Sequence, residues 1–219
     1  MKRDCMVVSI KNLRLEYRSG GDPFLALDVP AWEVADGAQV AVSGPSGSGK
    51  STLLNVIAGL LPADSGSVIV CGLELAGLGE AERDRFRTEH LAYIFQTFNL
   101  LQGYTALENV LLGETFSSQR PDRTTAKALL ETVGLGHRLH HVPAELSIGE
   151  QQRVAIARAL VRKPQHVVVP VHGIAGVHST RGIECHAESQ VQRLGNFGAG
   201  HGLVTGLKHP ALTAVLGLD

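Results

Sequence analysis

The stretch that most constrains the fold of this chain is a glycine-rich loop at residues 44–52, which reads GPSGSGKST. It matches the pattern G-x-x-x-x-G-K-[ST], follows an apolar run at residues 40–42 and precedes a second one at residues 53–57. This is the strand–loop–helix context in which such a loop holds the phosphates of a nucleoside triphosphate. The alternative is a glycine-rich turn with a chance lysine.

The residues of this loop have distinct expected roles. Its glycines let the backbone approach a phosphate and adopt positive φ, and successive N–H groups at the helix N-terminus bind an anion. Lys50 is expected to reach the β- and γ-phosphates, and the Ser51 hydroxyl to ligate Mg²⁺. The candidate nucleotide-binding residues of the loop are Gly44, Pro45, Ser46, Gly47, Ser48, Gly49, Lys50, Ser51 and Thr52.

Composition and charge narrow the classes of partner. The 219 residues carry a net charge of −1 and show no basic stripe, so nucleic acid is not expected as a partner. The three cysteines lie far apart and form no CxxC pair, which suits a reducing cytosol. No apolar stretch approaches the roughly 20 residues that span a bilayer, and the first residues do not resemble a signal peptide. Any membrane part is therefore expected to come from another chain.

The first part of the chain, residues 1–95, predicts a phosphate-loop core with a small antiparallel β layer. Short apolar runs at residues 7–10 and 13–15 indicate strands. A helix is predicted at residues 51–61, ending near a proline, and a buried strand at residues 91–95.

The other two parts differ sharply from each other. Residues 96–163 predict a helical subdomain, with one helix beginning after Thr105 and another at residues 147–162. Residues 164–219 are rich in glycine and histidine and have poor periodicity. In this last part Pro170 is expected to end a short strand, and the tail is expected to pack poorly against the core.

A second motif, LSIGEQQR at residues 146–153, runs straight into a helix that carries arginines. With the glycine-rich loop before it, this order resembles the nucleotide-binding subunit of an ATP-binding cassette (ABC) transporter, in which a signature of the form LSGGQ or LSGGE begins a helix. The resemblance implies that Ser147, Gly149 and Glu150 contact ATP held by the other subunit of a dimer. Ile148 departs from the usual glycine pair and is expected to crowd that phosphate or stiffen the loop. A plain helix N-cap at Ser147 is the alternative.

Two single residues acquire a role from the same resemblance. Gln96 matches the glutamine of the family's Q-loop, which bonds Mg²⁺ or the attacking water. It joins Lys50 as a candidate catalytic residue and Ser51 as a candidate metal ligand. Tyr17 occupies the place of the aromatic residue that stacks on adenine. Taken alone, Gln96 is an ordinary polar residue at a strand end and Tyr17 a packing residue.

Finer motifs resemble one subgroup of the family. Segments at residues 95–101, 105–110 and 143–147 are similar to those of lipoprotein-releasing and macrolide-export ATPases, and the resemblance covers about residues 10–165. It implies ATP and Mg²⁺ as cofactors, transmembrane permease subunits as partners, and a homodimer or a dimer with a similar subunit. It also implies a cytoplasmic position on the inner face of the cytoplasmic membrane.

The resemblance stops after residue 165. Pro170 and Val171 stand where the family has an aspartate that organises Mg²⁺ and a glutamate that polarises the attacking water, and neither can do so. The family's switch histidine is missing near Val204. A frameshifted reading, a degenerate subunit that binds ATP without hydrolysing it, and a histidine metal site are the open explanations. The histidines of the last explanation are His166, His172 and His178.

The sequence therefore predicts an α/β fold: a P-loop NTPase core with an antiparallel β layer, an inserted α-helical subdomain and an atypical C-terminal part. The expected function is the ATP-binding subunit of an ABC transporter, which couples ATP binding and hydrolysis to transport or extraction at the cytoplasmic membrane. The alternative is a catalytically impaired nucleotide-binding or scaffolding protein. A kinase or GTPase is disfavoured by the motif at residues 146–153 and by the lack of an N-K-x-D guanine motif.

Overall fold

The computed structural model describes residues 6–18, 22–36, 38–43, 45–95, 97–115, 122–164, 166–171, 174–179 and 213–216. The strands of this part are β1 (Met6–Tyr17), β2 (Phe24–Ala35), β3 (Gln39–Ser43), β4 (Ser65–Val70), β5 (Leu73–Glu74), β6 (Leu91–Tyr93), β7 (His166–Val171), β8 (Ile174–Ser179) and β9 (Thr213–Leu216). Its α-helices are α1 (Lys50–Ile57), α2 (Glu80–His90), α3 (Ala106–Leu111), α4 (Arg123–Thr132) and α5 (Ile148–Leu160).

The first sheet is antiparallel, with strand order β2-β1-β4-β5. The two short strands predicted at residues 7–10 and 13–15 are one strand, β1, with an irregularity between them. Asn12 has φ 50° there, and the pairing of β1 with β4 shifts register between Lys11 and Arg14. A bulge of this kind bends a strand and changes which residues face the core without ending it. The predicted antiparallel β layer is confirmed.

The second sheet is mixed, with strand order β6-β7-β8-β3-β9. β6 and β7 are parallel, whereas β8 is antiparallel to both β7 and β3. β6, β7 and β3 therefore run in the same direction, and their carboxyl ends meet at one edge of the sheet. The loop at residues 44–52 follows β3 at that edge.

One expectation for the last part of the chain was wrong. Strand β7 continues through Pro170 to Val171. Its pairing with β6 ends at Val168, and proline is tolerated where one edge of a strand has no ladder partner. Two described segments of the tail, β8 and β9, pair with β3 of the core, and the poor packing of the tail as a whole stays a prediction.

Helix α1 ends earlier than predicted, at Ile57 instead of residue 61. Gly59 adopts φ 66°, and the N–H groups of Gly59 and Leu60 donate to the carbonyls of Val56 and Asn55 at 2.9 and 2.8 Å. This is a Schellman motif, in which a left-handed glycine satisfies the last carbonyls of a helix. The glycine, rather than the later proline, therefore stops α1.

The buried apolar side chains form two clusters. The first packs α1 against both sheets and includes Val168, and the second packs α3, α4 and α5 together and includes Val167. Because neighbouring residues of a strand face opposite sides, β7 lies between the two clusters and contributes one valine to each. Among the described residues, no helix has the length and apolar character needed to cross a bilayer.

Candidate functional site

The glycine-rich loop lies between β3 and α1, in the strand–loop–helix order that the sequence predicts. Gly44 lies outside the described residues, which resume at Pro45. Gly49 adopts φ 85°, and a Cβ atom placed on it would lie 2.6 Å from the carbonyl oxygen of Ala26 and 3.0 Å from Leu27 Cδ2. Gly47 adopts φ 80° with open space around it. Glycine is therefore required at position 49 both by backbone conformation and by the close approach of β2.

Lys50 folds back over the loop that precedes it. Its Nζ donates to the carbonyl of Pro45 at 2.7 Å and to Ser48 Oγ at 3.4 Å. The N–H of Ser48 donates to the same Pro45 carbonyl at 3.3 Å. The ammonium group thus lies at the mouth of the loop, where a phosphate approaching the loop would meet it.

The N-terminus of α1 has the character of an anion site. Its N-cap is Gly49, which brings no capping side chain, and the first turn of this fully described helix contains no acidic residue. The first helical hydrogen bond runs from Leu53 N to Gly49 O at 2.8 Å. The N–H groups of the first helical turn precede this bond in the chain, and such a helix end favours a negative ligand. The Ser51 side chain is exposed, and the loop residue Ser46 is exposed as well.

Tyr17 lies next to this loop. Its hydroxyl is 3.4 Å from Thr52 Oγ1, and 43% of the residue is exposed. In the pairing of β1 with β2, Tyr17 lies opposite Phe24. The structure thus brings Tyr17 close to Thr52 in the first turn of α1.

The second motif forms the N-terminus of α5. Ser147 is the N-cap, and its Oγ accepts from Glu150 N at 3.3 Å while Glu150 Oε2 accepts from Ser147 N at 2.8 Å. This reciprocal capping box fixes the first turn. The hydrogen bond from the Ser147 backbone N–H, followed by that from its hydroxyl, holds the pKa of Glu150 below its ordinary value. The plain N-cap interpretation of Ser147 is therefore structurally correct, and it leaves the further role toward a second anion as a proposal.

The two residues between the capping partners face outward. Ile148 is 76% exposed. A Cβ on Gly149 would have Arg153 Nη1 as its nearest described neighbour, at 3.7 Å. Nothing among the described residues of the chain therefore requires glycine at 149 for packing.

Gln96 lies outside the described residues, but the segments on both sides of it are described. Phe95 follows β6, whose carboxyl end lies at the same sheet edge as the glycine-rich loop. Phe98 and Asn99 adopt φ 59° and 46°. Arg158 of α5 donates from Nη1 to the Asn99 carbonyl at 2.7 Å and from Nη2 to the Phe98 carbonyl.

Sequence reasoning missed Arg158 because its partners are main-chain carbonyls about sixty positions away, which leave no trace in side-chain patterns. It also missed Arg138, whose Nε lies 3.3 Å from Glu150 Oε1. In the sequence, Arg138 is marked only by its position a short distance before the motif at residues 146–153. That position by itself predicts no contact with Glu150.

The structure describes only some of the candidate residues in the last part of the chain. Pro170 and Val171 end β7 at the edge that the glycine-rich loop shares. His166 is buried at the start of β7, and His178 belongs to β8, whereas His172 and Val204 lie outside the described residues. In the part of the chain that the structure describes, no group of three or more His, Cys, Asp or Glu is placed to hold a metal ion.

Comparisons with known proteins agree with this geometry. A family model described as "ABC transporter" matches residues 27–169. The lipoprotein-releasing system ATP-binding protein LolD of Pseudomonas fluorescens is 46% identical over 183 residues, which cover 81% of this chain and 80% of that protein. The macrolide export ATP-binding/permease protein MacB of Rhodopirellula baltica is 40% identical over 73% of this chain, but only 24% of that longer protein is covered.

Solved structures of ATP-binding cassettes are also similar to this chain. A dimeric, post-hydrolysis structure of the ATP-binding cassette MJ0796, bound to ADP and phosphate, has a TM-score of 0.67 and 30% identity, and the match covers 85% of this chain and 80% of that chain. A nucleotide-free ATP-binding cassette from an ABC transporter has a TM-score of 0.58 and 31% identity, with 75% of this chain and 68% of that chain covered. The fold predicted from the sequence is therefore confirmed.

Proposed function

Because this chain belongs to the ABC transporter family as an ATP-binding subunit, we propose that it binds Mg²⁺-ATP at residues 44–52 and pairs with a second copy that completes each ATP site. The observation that carries the proposal is the presence of two helix N-termini suited to phosphate in one chain. One is the N-terminus of α1 behind the glycine-rich loop, and the other is the N-terminus of α5 at Ser147. They begin helices of different apolar clusters.

The proposed roles follow the positions of the side chains. Lys50 binds the β- and γ-phosphates, which compete with its present acceptor, the Pro45 carbonyl. Tyr17, exposed beside the loop, stacks on the adenine. Ser147, Gly149 and Glu150 form the signature that meets the ATP of the second copy, and Ser147 and Gly149 are both exposed.

The donor set fits Mg²⁺, since hydroxyl and amide oxygens are ligands that this hard cation accepts. The Ser51 hydroxyl, exposed in the first turn of α1, would be one ligand and Gln96 another. When bound, the ion neutralises charge on the phosphates.

We further propose that the chain works with transmembrane permease subunits on the inner face of the cytoplasmic membrane, in lipoprotein extraction or a related export process. The similarity to LolD and MacB supports this substrate class. The division into residues 1–95, 96–163 and 164–219 remains a proposal, and the two apolar clusters are compatible with it.

A second candidate function has its own observation. Pro170 and Val171 end β7 at the sheet edge of the phosphate loop, and neither side chain carries an oxygen that could polarise water. A subunit that binds ATP and turns it over slowly, acting as a nucleotide-dependent scaffold, is the function favoured by these two residues.

The test separates binding, pairing and turnover in the full chain. We expect ATP to bind in calorimetry, GTP to compete poorly, and Mg²⁺-ATP to drive dimer formation in sedimentation. Lys50→Ala should lower ATP affinity about 10- to 100-fold, since it removes charge-assisted bonds to phosphate, whereas Lys127→Gln, at an exposed ion pair with Glu131, should not. Single-turnover hydrolysis then decides between the two candidates: rapid phosphate release excludes the scaffold, and absent ATP binding rejects the whole proposal.

A further inference from the structure

We propose that Arg138 compensates the charge of Glu150, so that the N-terminus of α5 can bind the phosphate of an ATP held by a second copy of the chain. The inference rests on the proposed function and adds a positioning residue that lies outside the signature itself. Arg138 comes from the 3-10 helix Gly136–Arg138 that precedes the signature.

The carboxylate of Glu150 is hydrogen-bonded through one oxygen and lies in an ion pair, without a hydrogen bond to Arg138 Nε, through the other. Its Oε2 accepts from the N–H and the hydroxyl of Ser147 at 2.8 and 2.9 Å. Its Oε1 lies 3.3 Å from Arg138 Nε, and the side chains of Arg138 and Glu150 are only 35% and 15% exposed. The ion pair is therefore shielded from water more than an ordinary surface pair, which makes its charge balance matter more.

The charge of Arg138 is directed at Glu150. Its Nη1 lies 3.0 Å from His141 Nε2, and because a guanidinium can only donate, the imidazole nitrogen is the acceptor in this hydrogen bond. Among the described residues, Glu150 is the acid that forms an ion pair with Arg138. Arg153 also acts on the Glu150 carboxylate, with a smaller electrostatic effect.

An ionised carboxylate in the first turn stabilises a helix N-terminus when no other anion is present. It opposes a phosphate that must approach the same N–H groups, since like charges in one site repel. The Ser147 hydroxyl also donates to Glu150 Oε2, and it must turn away to donate to a phosphate. A guanidinium that remains in its ion pair with Oε1 neutralises the carboxylate and fixes its position while the Ser147 hydroxyl changes its acceptor from Glu150 to the phosphate.

The experiment measures Mg²⁺-ATP-driven dimerisation by sedimentation and ATP binding by calorimetry, on the full chain. Arg138→Met should weaken dimerisation about tenfold, a loss on the scale of one charge contact in an interface, with little change in ATP affinity of the monomer. Glu150→Gln should restore dimerisation in the double variant, because a neutral amide needs no compensation. Arg138→Lys keeps the charge and should retain most of the dimerisation. Lys127→Gln serves as the control for the loss of a surface cation.

Each outcome has a separate meaning. If the wild-type chain binds ATP but does not dimerise, the proposed pairing fails and this inference fails with it. If the wild type dimerises and Arg138→Met dimerises equally well, only the role of Arg138 is rejected. If Glu150→Gln does not rescue Arg138→Met, Arg138 acts through the fold of its turn and not through charge, and the inference is overturned. Should Arg138→Met unfold, Arg138→Lys and Arg138→Gln are compared with and without Glu150→Gln: a role of charge predicts that Arg138→Gln weakens dimerisation only when Glu150 is present.

Discussion

The carbonyl oxygen of Ala26 occupies the space that a side chain at Gly49 would need: a Cβ atom on Gly49 would lie 2.6 Å from that oxygen. The contact joins the end of the phosphate loop to β2, a strand of the antiparallel layer. The same glycine is the N-cap of α1, with φ 85°. The position of the helix N-terminus relative to the first sheet therefore depends on the absence of a side chain at residue 49.

Replacing Gly49 with alanine should lower the free energy of unfolding by about 2–5 kcal/mol, because it combines a left-handed backbone with a steric clash. Gly47→Ala is the matched control: its φ is 80°, but nothing lies within 4 Å of the added atom. It should lose only the backbone part, about 1–2 kcal/mol. Thermal and urea unfolding measure the difference, and equal losses in the two variants would show that the contact with Ala26 is unimportant.

Ser147 and Thr105 cap two helices in the same way, which allows capping to be separated from a role in ATP binding. Each accepts from the N–H of a glutamate three residues later, Glu150 and Glu108, at 3.3 Å. Ser147→Ala and Thr105→Ala should each lose about 1 kcal/mol of stability. Only Ser147→Ala should also weaken Mg²⁺-ATP-driven dimerisation in sedimentation. An equal effect of both variants on dimerisation would mean that Ser147 acts solely as a cap.

Local signals predicted N-caps at Thr105 and Ser147, but they did not predict contacts between distant segments. The side chains that cap a helix lie within four residues of their partners, so Thr105 and Ser147 were identifiable from the sequence. Arg158 reaches carbonyls of Phe98 and Asn99, and main-chain acceptors are the same for every residue type. The course of β7 through Pro170 was missed for a similar reason, since tolerance of proline there depends on where its pairing with β6 ends.

Of the candidate site, the sequence located the loop at residues 44–52, Tyr17 and the N-terminus of α5, because each is defined by a continuous motif or by motif order. It could not reveal that β3, β6 and β7 share one carboxyl edge, since strand direction depends on the pairing of β8 with both β7 and β3. Arg138 was likewise invisible, because its role arises only when its turn packs against α5.

Arg158→Met should destabilise the segment that follows Gln96. The half-buried guanidinium donates to two successive carbonyls, and their residues, Phe98 and Asn99, both have positive φ. Leaving two carbonyls without these donors should lower the free energy of unfolding by about 2–4 kcal/mol. Hydrogen exchange of amides in residues 97–101 should become faster, whereas Arg153→Met on the same helix should leave that segment protected. Unchanged exchange in Arg158→Met would contradict the anchoring role.

Ile148→Gly should strengthen Mg²⁺-ATP-driven dimerisation. The isoleucine side chain is 76% exposed next to Ser147, at the surface proposed to meet the phosphate of a second copy. Removing its β-branched bulk gives that phosphate closer access, while a glycine at this position of the helix costs up to about 1 kcal/mol of stability. Sedimentation with Mg²⁺-ATP measures the first effect and thermal unfolding the second. Leu73→Gly, another exposed apolar residue far from the motif in sequence, should not change dimerisation, and a weaker dimer in Ile148→Gly would reverse the proposed direction.

Glu74 should make the stability of the antiparallel layer depend on acidic pH. Burial by itself would raise the pKa of Glu74, but bonds donated by Ser67, Val68 and Ala76 outweigh it and leave the pKa below its ordinary value. Because the folded-state pKa is the lower one, this carboxylate stabilises the fold at neutral pH, and the contribution is lost as the pH falls from about 5 towards 3. Glu74→Gln should therefore be less stable than the wild type at pH 7, with a difference that shrinks towards pH 3 in urea unfolding. The exposed Glu80→Gln is the control, and a difference between Glu74→Gln and wild type that stays constant with pH would show that the hydrogen bonds do not depend on the charge.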